Sequence, residues 1–164
     1  MKENYIESFE KTRIAGKIAA NALNEVSKIA KPGTLTVDID KLCYEFLNDH
    51  GAYSAPLFYR GFPKSCCTSV NHVVCHGIPS EKILKEGDIV NVDVTALKDG
   101  WHGDTSRTFE IGEVSVKAKK LVKTTHDAMM KAIQIIKEDI HLGDIGAEIQ
   151  NHVEAEGFSV VQDF

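Results

Sequence analysis

The chain has 164 residues, of which 43% are apolar and 26% charged, and its formal net charge is −5. These values indicate one compact folded domain and argue against disorder and against direct DNA binding. No apolar run approaches the roughly 18 residues of a membrane helix, and the first residues are too charged for a signal peptide. The four cysteines show no zinc-site spacing, so we expect reduced thiols in a cytoplasmic protein.

The first fifty residues predict two helices. An apolar stripe at every fourth position predicts a helix over 3–30, ended by KPG. Thr36 is the predicted N-cap of a second helix, with Asp38 and Asp40 near its positive end and Gly51 as its stop. The first stripe comprises Ile14, Ile18, Ala22, Val26 and Ala30, with Leu23 and Ile29 beside it, and the second comprises Ile39, Leu42, Cys43, Phe46 and Leu47.

Residues 52–112 lose the helical period and indicate strands and loops. The clearest strands are DIVNVDVTAL at 88–97 and DTSRTFEIG at 104–112, joined by a KDG hairpin. Ser115 is the predicted cap of a third helix that runs to about residue 137, and a fourth follows at about 142–156, before Gly157.

The two helix pairs resemble two copies of one unit. Sliding residues 22–55 onto 128–161 makes six of the 34 aligned residues identical, where chance gives about two. Any two helical hairpins share some of this pattern, which leaves the alternative of a chance likeness open. We interpret residues 1–164 as a single catalytic domain, with a first pseudo-repeat at 1–112 and the start of a second at 113–164.

The sequence stops at GFSVVQDF, where the second repeat should begin its sheet. We therefore expect a truncated chain that lacks half of a sheet and half of a site. Such a chain exposes a sheet edge and apolar helix faces, so we expect it to sediment as more than a monomer.

Two carboxylates lie in the strands of the predicted hairpin. Folding near Lys98 and Asp99 brings Asp93 and Asp104 close to opposite each other, with a bulge at Gly100 as an alternative register. Asp93 shares its face with Asn91 and Thr95, and Asp104 shares its face with Ser106 and Thr108.

Like charges facing each other across a ladder destabilise it, so a positive partner is expected between Asp93 and Asp104. Arg107 is near, but its strand parity puts it on the other face. A divalent cation such as Mn, Co, Fe, Zn or Mg suits carboxylate oxygens, and a bridging pair suggests two metals. The alternative is that one Asp lies at the solvent edge and the other caps a turn.

His76, in NHVVCHGIP, follows a short apolar run. From its type alone it is a metal ligand, a proton carrier or a hydrogen-bonded loop histidine. His72 and His102 lie near the same motifs, and their spacing does not exclude them.

The segments SVNHVVCHGIP, GDIVNVDVT and DGWHGDTSRTF resemble the signature of the bacterial-type (type I) methionine aminopeptidases. GFPKSCCTSVN and IGAEIQNHVEAEGFSVVQDF also match, so the resemblance covers essentially the whole chain. It implies the α+β pita-bread fold, an antiparallel sheet flanked by two helix pairs, here with its second half incomplete. It implies a metalloaminopeptidase that removes the initiator methionine from nascent polypeptides by two-metal hydrolysis.

The resemblance also implies roles for individual residues. Asp93 and Asp104 match the two aspartate ligands of two divalent ions (Co, Mn, Fe, Zn or Ni). Thr95 matches a residue that supports these ligands without binding the metal itself. His76 matches a histidine that contacts substrate near the scissile amide and aids catalysis without binding metal. Asn71 and Val73 match positions that bind a monovalent cation through oxygen atoms.

The resemblance places the methionine side chain in an apolar pocket formed by Tyr59, Phe62 and Cys67. The family often has tyrosine where Phe62 stands and cysteine where Pro56 stands. The expected substrates are N-termini that begin with methionine and a small residue, and the family implies contact with the ribosome.

In the family, one histidine and two glutamate ligands, and a second histidine, follow GFSVV and are absent from this sequence. We therefore expect the 164-residue chain alone to be nearly or wholly inactive. Two alternatives stay open, namely another pita-bread peptidase such as a proline-specific one, and a non-catalytic pita-bread binding module.

Overall fold

A computed structural model describes residues 4–162, which form two compact units, residues 4–114 and 115–162. The first unit contains α1 (Tyr5–Ile29), α2 (Thr36–Asp49), β1 (Tyr53–Ser54), a short 3-10 turn (Tyr59–Gly61), β2 (Cys67–Val70), β3 (Ile89–Lys98) and β4 (Trp101–Glu110). The second unit contains α3 (Val116–Gln134) and α4 (Leu142–Ala155). Among the described residues, no helix is both long and apolar enough to cross a membrane.

Helix α1 begins after Asn4, whose side chain accepts a hydrogen bond from the backbone nitrogen of Glu7 at 3.4 Å. The helix packs on β3 and β4. Ile14, which we predicted on its buried stripe, is 51% exposed. The reason is the close approach of β4, where a methyl group on Gly103 would lie 2.1 Å from the backbone nitrogen of Gly16. Small residues therefore face the sheet there, and the buried residues are Ala15, Ile18, Ala19, Ala22, Leu23 and Val26.

Helix α2 starts differently from our prediction. Thr36 is its first residue rather than its N-cap, because the threonine hydroxyl donates to the Ser80 carbonyl and accepts from the Ser80 nitrogen, both at 2.9 Å. Asp38 lies in the first turn as predicted. Asp40 instead turns inward, where its carboxylate contacts the segment that leads into β2.

The sheet of the first unit is built around β3, which pairs antiparallel with β1 and β2 on one side and β4 on the other. Alternation along β3 separates two faces. Val90, Val92, Val94 and Ala96 are fully buried in the core, whereas the opposite face is only half-buried. A polar site can therefore form on that second face without disturbing the core.

The β3–β4 hairpin has a register that corrects our prediction. Asp99 and Gly100 form a two-residue turn with φ of 51° and 85°, and Lys98 pairs with Trp101. Positive φ at both turn residues matches the twist of the strands, so the hairpin closes without a bulge. The turn centre lies one residue later than we expected, and β4 begins at Trp101 rather than at residue 104.

The second unit is a helical hairpin. Ser115 caps α3 as predicted, with its hydroxyl accepting from the backbone nitrogen of Ala118 at 3.2 Å. A salt bridge of 3.2 Å between Lys120 and Glu156 joins α3 to the end of α4. Only Thr124, Ala128 and Ala132 of α3 are buried, and no residue of α4 is.

Candidate active site

A cleft of about 790 Å³ opens on the half-buried face of the sheet in the first unit. Seven of the residues predicted from the sequence line it, namely Tyr59, Phe62, Cys67, His76, Asp93, Thr95 and Asp104. They come from the turn before β2, from β2 itself, from the loop after it and from both strands of the hairpin. The fold therefore brings together residues that lie up to 45 positions apart (104 − 59) in the sequence.

Asp93 and Asp104 share one face of the sheet but are not directly opposite. Asp93 pairs with Ser106, and Asp104 pairs with Thr95, so the two carboxylates are diagonal neighbours across the ladder. The Thr95 hydroxyl donates to Asp104 Oδ1 at 2.9 Å and holds that carboxylate in place. The two carboxylates are close, as predicted, but the residue opposite Asp93 lies two positions further along β4 than we predicted.

The surroundings of Asp93 make its negative charge unfavourable. Burial, followed by the charge and a hydrogen bond of Asp104, raises the pKa of Asp93 from 3.8 to about 6, while His76 lowers it. Arg107 does not neutralise this charge, because it points to the other face of the sheet, as its strand parity predicted. There its guanidinium donates a hydrogen bond to Asn24 Oδ1 at 3.2 Å. The two acids therefore form an electrostatically unsatisfied pair that favours a cation.

The donor set of this pair fits part of a divalent metal site. Carboxylate oxygens are suitable ligands for divalent cations, and a cation between Asp93 and Asp104 would remove their repulsion. In the described residues, no group of three or more His, Cys, Asp or Glu side chains converges as a metal site. These residues thus offer two ligands and a supporting hydroxyl from Thr95.

Cys67 lies directly opposite Asp93, on the β2 side of β3. Burial, and next the charge of Asp93, raise the pKa of the Cys67 thiol to about 11. The thiol is therefore protonated at neutral pH and is a poor nucleophile. It serves as an apolar wall of the cleft.

A buried carboxylate fixes the segment that carries this wall. Asp40, which is 8% exposed, accepts hydrogen bonds from the backbone nitrogens of Ser65 at 2.7 Å and Cys66 at 3.2 Å. Lys64 lies 3.8 Å from the same carboxylate. These contacts tie α2 to the residues just before Cys67 and keep the cleft wall rigid.

His76 reaches the cleft from the loop after β2. It has a φ of 53°, and the next residue, Gly77, pairs with Thr68, whose nitrogen donates to the Gly77 carbonyl at 2.8 Å. A side chain on Gly77 would lie 2.2 Å from the Thr68 carbonyl, so the backbone can approach β2 only with glycine there. This approach sets the position of His76, whose effect on the pKa of Asp93 shows that the two are electrostatic neighbours.

Asn71 and Val73 do not line the cleft. The Asn71 side chain is engaged on both sides, because its nitrogen donates to Asp88 Oδ1 at 2.8 Å and its oxygen accepts from the Ile89 nitrogen at 3.0 Å. Their predicted role in holding a monovalent cation stays a prediction.

The cleft also contains residues to which the sequence motifs assign no role. Arg60 lies between two predicted pocket residues, and Ile78 lies two positions after His76. His102, which spacing had left open, also lines the cleft. For Arg60 and Ile78, the sequence signal was their position within YRGFP and CHGIP, beside predicted site residues. Neighbouring side chains in a tight turn can face the same cleft.

The chain belongs to the metallopeptidase family M24, whose family model matches residues 10–164. Membership of this family implies divalent metal ions as the cofactor. It also confirms the class of protein that the sequence motifs indicated.

Among the relatives, the methionine aminopeptidase of Rickettsia prowazekii is 51% identical over 158 residues, covering 96% of this chain and 61% of that protein. The methionine aminopeptidase of Escherichia coli K12 is 48% identical over 160 residues, covering 96% and 61%. The chain thus spans about 61% of the length of these curated relatives.

A crystal structure of methionine aminopeptidase from Rickettsia prowazekii superposes with a TM-score of 0.95 at 51% identity, covering 96% of this chain and 64% of that chain. The Xaa-Pro dipeptidase from Bacillus anthracis superposes with a TM-score of 0.81 at 22% identity, covering 92% and 41%. The second likeness shows the fold alone. Together they confirm the α+β pita-bread fold that we predicted.

Proposed function

We propose that this chain forms the cleft of a methionine aminopeptidase that hydrolyses the first peptide bond of a polypeptide. The observation that carries the proposal is the meeting of an acidic pair and an apolar wall in one cleft. The identity of about 50% to methionine aminopeptidases supports this substrate class over the proline-specific alternative. The retained acids, Asp93 and Asp104, speak against a purely non-catalytic binding module.

Asp93 and Asp104 are the residues that we propose to hold divalent metal. When bound, the metal supplies Lewis-acid chemistry and lowers the pKa of a coordinated water. The chain itself positions Asp104 through the Thr95 hydroxyl and keeps Asp93 half-buried, where charge interactions are stronger than in water. Co, Mn, Fe, Zn and Ni are the candidate ions.

His76 is the proposed catalytic residue. It lies near the acidic pair and can donate a hydrogen bond to a substrate amide or carry a proton. Its φ of 53° is an unusual backbone conformation for a residue other than glycine, and such conformations cluster at functional sites. The hydrogen bond between Gly77 and Thr68 keeps the loop in this conformation.

Tyr59, Phe62 and Cys67 form the proposed wall for the methionine side chain. The protonated thiol and the two rings give an apolar surface that suits an unbranched thioether, and sulfur–aromatic contact adds to it. Phe62 lacks a hydroxyl, so nothing polar interrupts this surface at its position.

The proposed setting is the cytoplasm, with newly made N-termini that begin with methionine and a small residue as substrates. Ribosome contact is proposed on the family resemblance alone. The described residues offer two metal ligands, so we propose that the 164-residue chain alone turns over little or no substrate.

A hybrid protein tests the function directly. This chain replaces the 158 matching residues of the Rickettsia prowazekii relative, and methionine release from a Met-Ala peptide is measured with added Mn²⁺. We expect turnover that the pair Asp93→Asn and Asp104→Asn reduces by about three orders of magnitude or more. Preferential cleavage of an X-Pro peptide, or turnover that survives the double substitution, would contradict the proposal.

A further inference from the structure

Arg60 brings a positive charge into a cleft whose acidic residues are Asp93 and Asp104. Of the described residues that line the cleft, Arg60 is the one permanent cation. Its side chain is exposed, and no carboxylate in residues 4–162 lies within salt-bridge distance of it. An arginine without a carboxylate partner at a cleft is free to pair with a ligand.

The backbone around Arg60 is held in one conformation. Phe58 and Arg60 both have positive φ, at 66° and 48°, which is uncommon for residues other than glycine. Three hydrogen bonds close the turn, from the Phe58 nitrogen to the Phe62 carbonyl at 2.8 Å, from Gly61 to Phe58 at 3.2 Å, and from Phe62 to Tyr59 at 2.9 Å. The base of the side chain is thus fixed beside the apolar wall.

The guanidinium of Arg60 lies over the ring of Tyr59, with its central carbon 5.4 Å from the ring centroid. This cation–π contact orients a long side chain that would otherwise sample many rotamers. It also leaves the hydrogen-bond donors at the edge of the planar guanidinium available, since stacking uses only the face.

One competing role is that Arg60 neutralises the acidic pair. Among the described residues, no salt bridge of 4.0 Å or less joins the Arg60 guanidinium to Asp93 or to Asp104. Arg60 is therefore not the counter-ion of Asp93. A second competing role is packing alone, in which the guanidinium only covers the Tyr59 ring.

We propose that Arg60 is a specificity-determining residue that favours substrates with a carboxylate side chain at the third position. This inference rests on the proposed function, because it takes Tyr59 as part of the wall for the first side chain. A substrate whose methionine lies against that ring brings its following residues within reach of the guanidinium. A carboxylate matches the arginine fork with two hydrogen bonds.

Binding to the full 164-residue chain is the first test, with Mn²⁺ present and peptides amidated at the C-terminus to remove the terminal carboxylate. Met-Ala-Asp-Ser, Met-Ala-Asn-Ser and Met-Ala-Lys-Ser are titrated by NMR at low ionic strength. We expect the Asp peptide to bind about threefold to fivefold more tightly than the Asn peptide, with the Lys peptide weakest. The preference should shrink at 0.5 M NaCl because salt screens exposed charges.

Substitutions at residue 60 separate charge pairing from packing. Arg60→Gln should abolish the Asp preference, Arg60→Lys should keep most of it, and Arg60→Glu should reverse it in favour of the Lys peptide. Arg13→Gln, on the exposed face of α1, is the matched control and should leave the order unchanged. The inference is overturned if Arg60→Glu binds the three peptides with the same order of affinities as the wild type. It is also overturned if the wild type binds none of them.

The hybrid protein separates this inference from the proposed function. If it cleaves all three peptides with equal kcat/KM and residue 60 has no effect on their ratio, the inference fails and the function stands. If it cleaves none while the binding order still follows the charge at residue 60, the function fails and recognition of a carboxylate by Arg60 stands.

Discussion

The two units of this protein each contain an amphipathic helix pair, yet they bury it to different extents. In residues 4–114, α1 and α2 pack on a sheet, and Leu23 is 1% exposed. In residues 115–162, the inner faces of α3 and α4 line an apolar groove of about 320 Å³, and Ile133 remains 52% exposed. An amphipathic pattern therefore specifies which face of a helix is apolar, while packing against a further element, here the sheet, buries that face.

The same comparison explains why the site lies in the first unit. Its carboxylates stand on a sheet whose other face is a packed core, so Asp93 and Asp104 keep fixed positions despite their repulsion. The helical hairpin has no comparable support, since α4 buries no residue at all. The self-association that we expect from its exposed apolar face stays a prediction.

The largest expected contrast comes from truncating one apolar side chain in each unit. Leu23→Ala should lower the free energy of unfolding by about 3 kcal/mol, because it opens a cavity in a packed core. Ile133→Ala should cost less than about 1 kcal/mol, since its side chain is already half-exposed. Urea denaturation of both variants checks this, and equal losses would show that the groove is as well packed as the core.

Glycine substitutions should differ in sign between the units. Gly103→Ala should destabilise by about 2–3 kcal/mol, because its methyl group would meet the backbone of α1 at 2.1 Å. Gly146→Ala, inside α4 with nothing within 4 Å, should stabilise by about 0.5–1 kcal/mol. Thermal unfolding midpoints measure both, and a neutral Gly103→Ala would contradict the close contact of β4 with α1.

Two carboxylates that accept backbone hydrogen bonds give a smaller contrast. Asp40→Ala should cost about 2 kcal/mol, because it leaves the buried backbone nitrogens of Ser65 and Cys66 without their acceptor. Asp144→Ala, at the exposed start of α4, should cost about 0.5 kcal/mol, because water can replace its carboxylate as the acceptor for the His141 nitrogen, which lies 2.9 Å from it. Chemical denaturation at pH 7 measures the loss in free energy of unfolding for both variants. A larger loss at Asp144 than at Asp40 would contradict the role assigned to Asp40.

The acidic pair should give the metal-free protein an unusual pH dependence. The pKa of Asp93 is raised from 3.8 to about 6, so the folded state binds this proton more tightly than the unfolded state. The stabilisation is complete below about pH 4 and is lost as the pH rises through 6. In EDTA at pH 7.5, Asp93→Asn should therefore stabilise by about 1 kcal/mol, a figure reduced because the group is half-exposed.

Asp127, on α3, is the matched control for that titration. The Lys123 ammonium holds its pKa below the usual value, so the contribution of Asp127 is present at neutral pH and lost on acidification. Asp127→Asn should accordingly not stabilise at pH 7.5. Denaturation of the three proteins at pH 4 and 7.5 gives the signs, and no gain from Asp93→Asn at pH 7.5 would contradict a strained acidic pair.

Much of the secondary structure could be predicted from periodicity and capping residues. The apolar stripe of α1, the strands around Asp93 and Asp104, and the Ser115 cap follow from local rules. The hairpin register could not be predicted from local rules, because KDG allows turn centres one residue apart. The positive φ of Asp99 and Gly100 in the structure decides between them. The start of α2 was wrong because Thr36 bonds Ser80, 44 residues away, and no local pattern reports such a contact.

Motifs predicted which residues lie together in the cleft, while the roles of those residues stay predictions. Tyr59, Phe62 and Cys67 were expected in the cleft from resemblance, and the structure puts all three there. Arg60 was overlooked, because an arginine in a tight turn looks like a solvated surface residue in sequence. Only the fold shows that the turn folds over the cleft.

The central claim is that Asp93 and Asp104 hold a divalent cation. The most direct measurement is calorimetric titration of Mn²⁺ into the 164-residue chain at pH 7.5, with Asp93→Asn plus Asp104→Asn as the comparison. We predict saturable binding by the wild type, with a rise in its unfolding temperature, and neither response from the double variant. Equal Mn²⁺ binding by the two proteins would contradict the claim.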